Sequence, residues 1–143
     1  MNTTPEQHQQ QRILIVDDDP VVGRAMEVLL SREGFRTTIC KTGSEAMSNA
    51  NDQHFVAAIV DIHLPDMNGL ALSQHLRISM GPARPIVILS GDNSMETIRS
   101  LPQTGATYFF SKPVNAVRLI EQLKEWTRPI VGGERGQMGD SHL

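Results

Sequence analysis

Short apolar, β-branched runs recur along the chain, each followed by a more polar stretch in which apolar positions return every three or four residues. The runs are Arg12 to Val16, Arg36 to Cys40, Val56 to Val60, Pro85 to Leu89 and Ala106 to Phe110. A continuous apolar run of this length fits a strand covered on both faces, and the spacing between runs fits helices with one apolar stripe. Val22, Ala25/Met26 and Leu29 form one such stripe. Leu70, Ser73/Gln74 and Arg77 form a less apolar one around Leu72 and Leu76, and Val117, Ile120 and Leu123/Lys124 form the last. Five β-then-α units follow, which predicts an α/β fold: a five-stranded parallel sheet with helices on either face.

Local signals agree with the period. Asp19-Pro20 reads as a helix N-cap followed by proline at the first helical position, and Gly34 stands where that helix should stop. Pro113 introduces the last helix. Ser94 to Leu101 reads as a helix that Pro102 should cut short. Residues 1–11 are polar and Gln-rich, and residues 130–143 carry Gly132, Gly133, Gly136 and Gly139 without a periodic apolar face. The expected organisation is a flexible extension over 1–11, one domain over 12–128 and a flexible Gly-rich tail over 129–143. That tail is too short for a helix-turn-helix domain, so the chain is expected to stand alone, the alternative being an excised part of a larger regulator.

Composition narrows the function classes. The 143 residues suffice for one core, and the formal net charge of −3 comes with no basic block, which argues against direct contact with nucleic acid or a membrane surface. A single cysteine allows no internal disulfide, and no apolar run approaches the roughly 18 residues of a membrane helix. With no signal peptide at the polar N-terminus, the expected location is cytoplasmic.

The candidate chemistry lies in the acids that end two of the runs. Asp17 and Asp18 follow the first and Asp61 follows the third; adjacent parallel strands would bring all three into one crevice at their carboxyl ends. Two carboxylates about 4 Å apart repel by roughly 1 kcal/mol in water and roughly 4 at the effective dielectric of a protein surface, so such a cluster calls for a cation. Mg²⁺ suits an all-oxygen site that leaves room for water and a phosphate oxygen. Asp19, directly before Pro20, serves better as a cap than as a ligand, and the lone Cys40 and five scattered histidines offer no softer metal site.

Four motifs now stand in order: Ile13-Leu14-Ile15-Val16-Asp17-Asp18-Asp19-Pro20; Asp61 with Leu64-Pro65-Asp66-Met67-Asn68-Gly69; Ile88-Leu89-Ser90-Gly91; and Ser111-Lys112-Pro113. Together they resemble the receiver domain of two-component response regulators over roughly Arg12 to Thr127. The resemblance implies the doubly wound, flavodoxin-like (βα)5 sandwich of three layers. It also implies a phosphorelay module in which Asp61 takes a phosphoryl group from a phosphohistidine as a covalent nucleophile. Asp18 would hold Mg²⁺ directly and Asp17 largely through water, with Asp61 and the backbone carbonyl of His63 completing the metal contacts.

In the same resemblance Ser90 supplies the hydroxyl that bonds a phosphoryl oxygen and moves inward, and Lys112 supplies the opposing ammonium beside a bond to Pro113 that is cis in much of the family. Phe109 falls at the switch aromatic, with Tyr108 on the opposite face as an exposed aromatic, and Gly91 leaves room for close backbone approach. The implied partners are a sensor histidine kinase or histidine phosphotransfer protein and a downstream protein target. Homodimers are expected through the fourth and fifth helices and the strand between them, around Asn93 to Leu101 and Val114 to Trp126. Two other readings compete: a constitutive interaction or dimerisation scaffold of the same fold, and an aspartate-nucleophile phosphatase of the haloacid dehalogenase type. The phosphatase normally needs a second Asp where this chain has His63.

Overall fold

The structure, a computed structural model, describes residues 11–91 and 107–128. Five parallel strands form one sheet in the order β2-β1-β3-β4-β5: β1 (Arg12–Val16), β2 (Arg36–Cys40), β3 (Ala57–Asp61), β4 (Ile86–Ser90) and β5 (Thr107–Ser111). The helices among the described residues are α1 (Pro20–Arg32), α2 (Gly43–Asp52), α3 (Gly69–Met80) and α4 (Ala116–Trp126). The helix expected over Ser94 to Leu101, with Pro102, lies outside the described residues, as do the expected tail and nearly all of the expected N-terminal extension. Gln11, the last residue of that extension, is held: its carbonyl accepts the Arg36 N–H, and its side-chain amide donates to the Thr127 carbonyl at 2.9 Å.

Strand period explains the layers. Residues i and i+2 point to one face, so Ile13, Ile15, Ala57, Ile59, Val87 and Leu89 join Met26 and Leu30 of α1 and Leu119 and Leu123 of α4 in one core cluster. The alternate set, Leu14, Val16, Ala58, Val60, Ile86 and Ile88, packs on Ala46 of α2 and Leu72 and Leu76 of α3. Every residue of β3 and β4 is buried, whereas β2, at the sheet edge, carries Arg36, Thr37 and Thr38 and is only partly covered. Three strands begin and end one residue later than the apolar runs suggest. Val56, for example, gives its N–H to the Arg12 carbonyl, but strand pairing starts with Ala57 opposite Ile13.

Helix ends follow their sequence signals. Asp19 caps α1 by accepting the Val21 N–H at 2.9 Å, Pro20 occupies the first helical position, and Gly34 turns the chain with φ of 90° after α1. α4 starts later than Pro113 suggests, at Ala116, with Asn115 as its cap. Two expectations fail here. Val117, placed in the buried stripe of α4, is 69% exposed, because the stripe that meets the sheet runs through Leu119, Ile120 and Leu123. Tyr108 is not a free exposed aromatic; it is half-buried and stacked on Trp126 with ring centroids 4.0 Å apart.

The strand order reverses direction at one place. The chain leaves β1 toward β2 on one side, and later strands add on the other side of β1. The crevice at the carboxyl ends of β1 and β3 is therefore the natural ligand position of an open sheet.

Candidate functional site

The acids converge on that crevice. Asp17 follows β1 and extends its ladder, giving its N–H to the Cys40 carbonyl at 3.0 Å. Asp61 is the last residue of β3. One ligand oxygen from each of Asp17, Asp18 and Asp61 lies within 4.8 Å of the others; Asp17 and Asp61 are buried and Asp18 is exposed. The sequence pattern had placed these three together, and the geometry agrees.

Each oxygen has a definite environment. Asp61 Oδ1 accepts the His63 N–H at 3.1 Å and Oδ2 accepts Lys112 Nζ at 2.8 Å. Asp17 Oδ1 accepts the Asp19 N–H at 2.9 Å, but its Oδ2 is buried without a hydrogen bond among the described residues and lies 3.6 Å from the Lys112 ammonium. Burial pushes the Asp17 carboxyl above its usual range, against the pull of the Asp19 N–H and the Lys112 charge, while Asp61 and Asp18 add to the rise. Burial alone would draw the Lys112 ammonium down. The hydrogen bond to Asp61 and the charges of Asp17 and Asp61 outweigh that and hold its pKa above the ordinary value.

An orphaned, buried carboxylate oxygen facing two other carboxylates is a site that a cation would satisfy. The donors are all oxygen, which selects a hard divalent ion over zinc or copper. The residues present thus fit Mg²⁺.

Strand ends position the remaining groups. Ser90 is buried at the last position of β4, opposite Ser111 at the end of β5, and its carbonyl accepts the Lys112 N–H at 2.9 Å. Lys112, whose peptide bond to Pro113 is cis, directs its ammonium into the crevice, 2.8 Å from Asp61 and 3.6 Å from Asp17. Phe109 is half-buried, packed against the cluster that faces α2 and α3, while Phe110 packs with the cluster on the other face. Among the described residues, a Cβ at Gly91 would meet Lys112 Cβ at an ordinary 3.8 Å. Cys40, buried at the end of β2, has its thiol pushed up to about 11 by burial and then by the Glu45 charge, which makes it inert near neutrality.

Sequence reasoning missed two features of the loop between β3 and α3. A Cβ on Gly69 would fall on the Asp61 carbonyl oxygen and 2.7 Å from Ile62 Cα, so glycine is required where the Gly69 N–H closes onto the Ile62 carbonyl at 2.7 Å. Asp66, within the same loop, accepts the Gly43 and Ser44 N–H groups of α2 at 2.8 and 3.0 Å, and these bonds hold its carboxyl below the usual range. The only sequence signal for the second feature is the Thr42-x-x-Glu45 pattern that opens α2.

An open α/β sheet carrying an acidic pocket and a facing lysine at its carboxyl ends defines the class, and comparison with known proteins defines the family. The response regulator receiver domain model matches residues 13–124. The chain is 35% identical over 118 residues to the sensory/regulatory protein RpfC of Xanthomonas campestris, covering 80% of this chain and 16% of that protein. It is 31% identical over 114 residues to the DNA-binding response regulator MtrA of Mycolicibacterium smegmatis, covering 80% of this chain and 49% of that one. The chain therefore spans less than half of these relatives.

Among solved structures, a CheY-like response regulator receiver domain protein from Methanospirillum hungatei superposes with a TM-score of 0.73 at 33% identity, over 82% of this chain and 93% of that one. The receiver domain of a sensor histidine kinase from Pseudomonas aeruginosa, solved with a magnesium ion in its active-site cleft, gives 0.72 at 28% identity, over 83% and 98%. The chain belongs to the response regulator receiver domain family, and its function is that of a phosphorelay receiver module. Among the described residues no helix is long and apolar enough to cross a membrane.

Proposed function

We propose that Asp61 is the phosphoacceptor, with a phosphohistidine of a sensor histidine kinase or histidine phosphotransfer protein as donor. The observation that carries this reading is the position of Asp61: a carboxylate at a strand tip, 2.8 Å from Lys112 Nζ and beside two further acids that fit a divalent cation. An Asp61 carboxylate oxygen forms a bond to phosphorus, the bond from phosphorus to the donor imidazole nitrogen breaks, and the imidazole leaves with that electron pair. Lys112 then exchanges its carboxylate partner for a phosphoryl oxygen, a compact cation meeting a compact anion. Ser90, at the neighbouring strand tip, donates its hydroxyl to another phosphoryl oxygen.

Mg²⁺, held by Asp17, Asp18, Asp61 and the His63 carbonyl, would neutralise charge that builds on the phosphoryl oxygens. The protein is a phosphoacceptor that assists its own loading and slow hydrolysis, not a turnover enzyme on small substrates. Phosphorylation adds roughly −1.5 to −2 charge. Movement of Ser90 and Lys112 onto that charge would shift β4 and β5, with Phe109 as the aromatic that follows. The altered face, of which Val114 to Trp126 is described, then reads the state out to a downstream protein or a second copy.

Loading with acetyl phosphate and Mg²⁺ tests the proposal. One hydroxylamine-labile phosphoryl group per chain is expected by intact mass, and none in Asp61→Asn. Equal labelling of the variant would assign the acceptor elsewhere, and turnover of small phosphate esters would support the phosphatase reading instead.

A further inference from the structure

The first turn of α2 satisfies its donors from two sources. Thr42 Oγ1 accepts the Glu45 N–H at 3.1 Å, and Glu45 Oε1 reaches back to the Lys41 N–H at 3.1 Å, close to a reciprocal capping box. The Ala46 N–H starts the helical ladder on the Thr42 carbonyl at 3.2 Å. The Gly43 and Ser44 N–H groups remain, and the Asp66 carboxylate takes both, one on each oxygen. Asp66 comes from a loop that begins at the end of β3, so the contact joins two elements that the chain connects only through a whole strand and helix.

A second contact supports the first. The Met67 thioether occupies the space where a Cβ on Gly43 would stand, so the neighbouring residue of the loop packs on the same helix end. At its base the loop is closed by the antiparallel bridge between His63 and Asn68 and by the Gly69 N–H on the Ile62 carbonyl. His63 thus lies in a loop pinned at its tip as well as at its base, with its own N–H on Asp61 Oδ1.

We propose that Asp66 is a positioning residue for the divalent cation: by fastening the loop to the start of α2, it fixes the His63 carbonyl against the carboxylates of Asp17, Asp18 and Asp61. The inference rests on the reading of that cluster as the Mg²⁺ site. Without the fastening, the loop would have to be ordered when the ion binds, and that entropy would weaken binding. Groups that orient metal ligands change affinity by about 10- to 100-fold. Asp66 acts through the two intervening residues Leu64 and Pro65, so an effect below that range, roughly 3- to 10-fold, is expected.

Mg²⁺ titration by calorimetry on the whole chain tests this with three variants. Asp66→Ala should weaken binding by roughly 3- to 10-fold. Asp66→Asn should fall between it and the wild type, because one amide oxygen still accepts an N–H; both variants lose the same charge, so their difference reports the hydrogen bonds. Thr42→Ala damages the same helix end without touching the loop, and should lower the melting temperature while keeping wild-type affinity. Equal affinities for Asp66→Ala and Asp66→Asn, or a Thr42→Ala loss as large as that of Asp66→Ala, would overturn the positioning role while leaving the metal site intact. Failure of the wild type to bind Mg²⁺ would overturn the site reading and the inference together.

Discussion

At the scale of single residues, the site is defined by one ammonium set among three carboxylates, and by the cost that arrangement carries without metal. Asp17 is the clearest case, because its folded pKa lies above the unfolded value and its Oδ2 has no hydrogen-bond donor among the described residues. With the folded value the higher one, the native state binds more protons between the two pKa values, so the contribution of Asp17 to stability falls as pH rises through that window. In metal-free protein, Asp17→Asn is expected to raise the melting temperature at neutral pH, with a gain that shrinks as the solution is acidified toward the unfolded pKa. Scanning calorimetry in EDTA at several pH values checks it, and a gain that grows on acidification would contradict the assignment.

Lys112 has the same sign for the opposite reason, since here the charged form is the one the fold favours. Its raised pKa means that its stabilising pairing is fully present below the unfolded lysine value and is lost as pH rises through the folded one. Lys112→Met leaves the three acids without that cation, so Mg²⁺ should raise the melting temperature of this variant more than that of the wild type. An equal or smaller metal response would show that Lys112 does not screen the cluster.

These charged residues were legible in the sequence because an acid at the end of an apolar run, or a lysine between an apolar run and Pro113, breaks a local pattern. Gly69 and Asp66 break none. Their reasons lie in the Asp61 carbonyl and in the first turn of α2, both brought near only by the fold.

At the scale of elements, the separation of cap from ligand is the instructive point. Asp19 gives its side chain to the Val21 N–H, and its own N–H orients Asp17, so its carboxylate is committed to α1. Asp19→Ala is expected to cost about 1 kcal/mol of stability, the usual worth of an N-cap, while leaving Mg²⁺ affinity nearly unchanged. A large loss of affinity with little loss of stability would make Asp19 a ligand. Gly69→Ala acts on the turn that launches α3. Backbone must move to admit the methyl group, and denaturant unfolding should show a loss of roughly 1–3 kcal/mol, as for other overpacked sites.

Element type was read correctly for every described strand and helix whose stripe was identified, since period depends on local pattern. Boundaries were less legible. The pairing partners that decide whether Val56 or Asp61 belongs to β3 sit on β1 and β4, far away in the chain. Val117 was misplaced for a related reason: two adjacent apolar frames fit α4, and only the sheet selects the one through Leu119 and Leu123.

For the whole molecule, topology converts these local facts into a site. The order β2-β1-β3-β4-β5 sets the tips of β1 and β3 side by side and puts the tips of β4 and β5 beyond them, so the acids and Lys112 meet in one crevice, with Ser90 at the neighbouring tip of β4. Sequence period alone gives the alternation of strand and helix but not this order. The order was legible only through the resemblance of the four motifs to receiver domains, which the family match over residues 13–124 bears out.

The most direct test of the account is to locate the phosphoryl group chemically. Protein loaded with acetyl phosphate and Mg²⁺, reduced with borohydride and digested, should yield one new residue, homoserine, at position 61, and none when EDTA replaces the metal. Homoserine at Asp17, Asp18 or Asp66, or full labelling of Asp61 without metal, would contradict it.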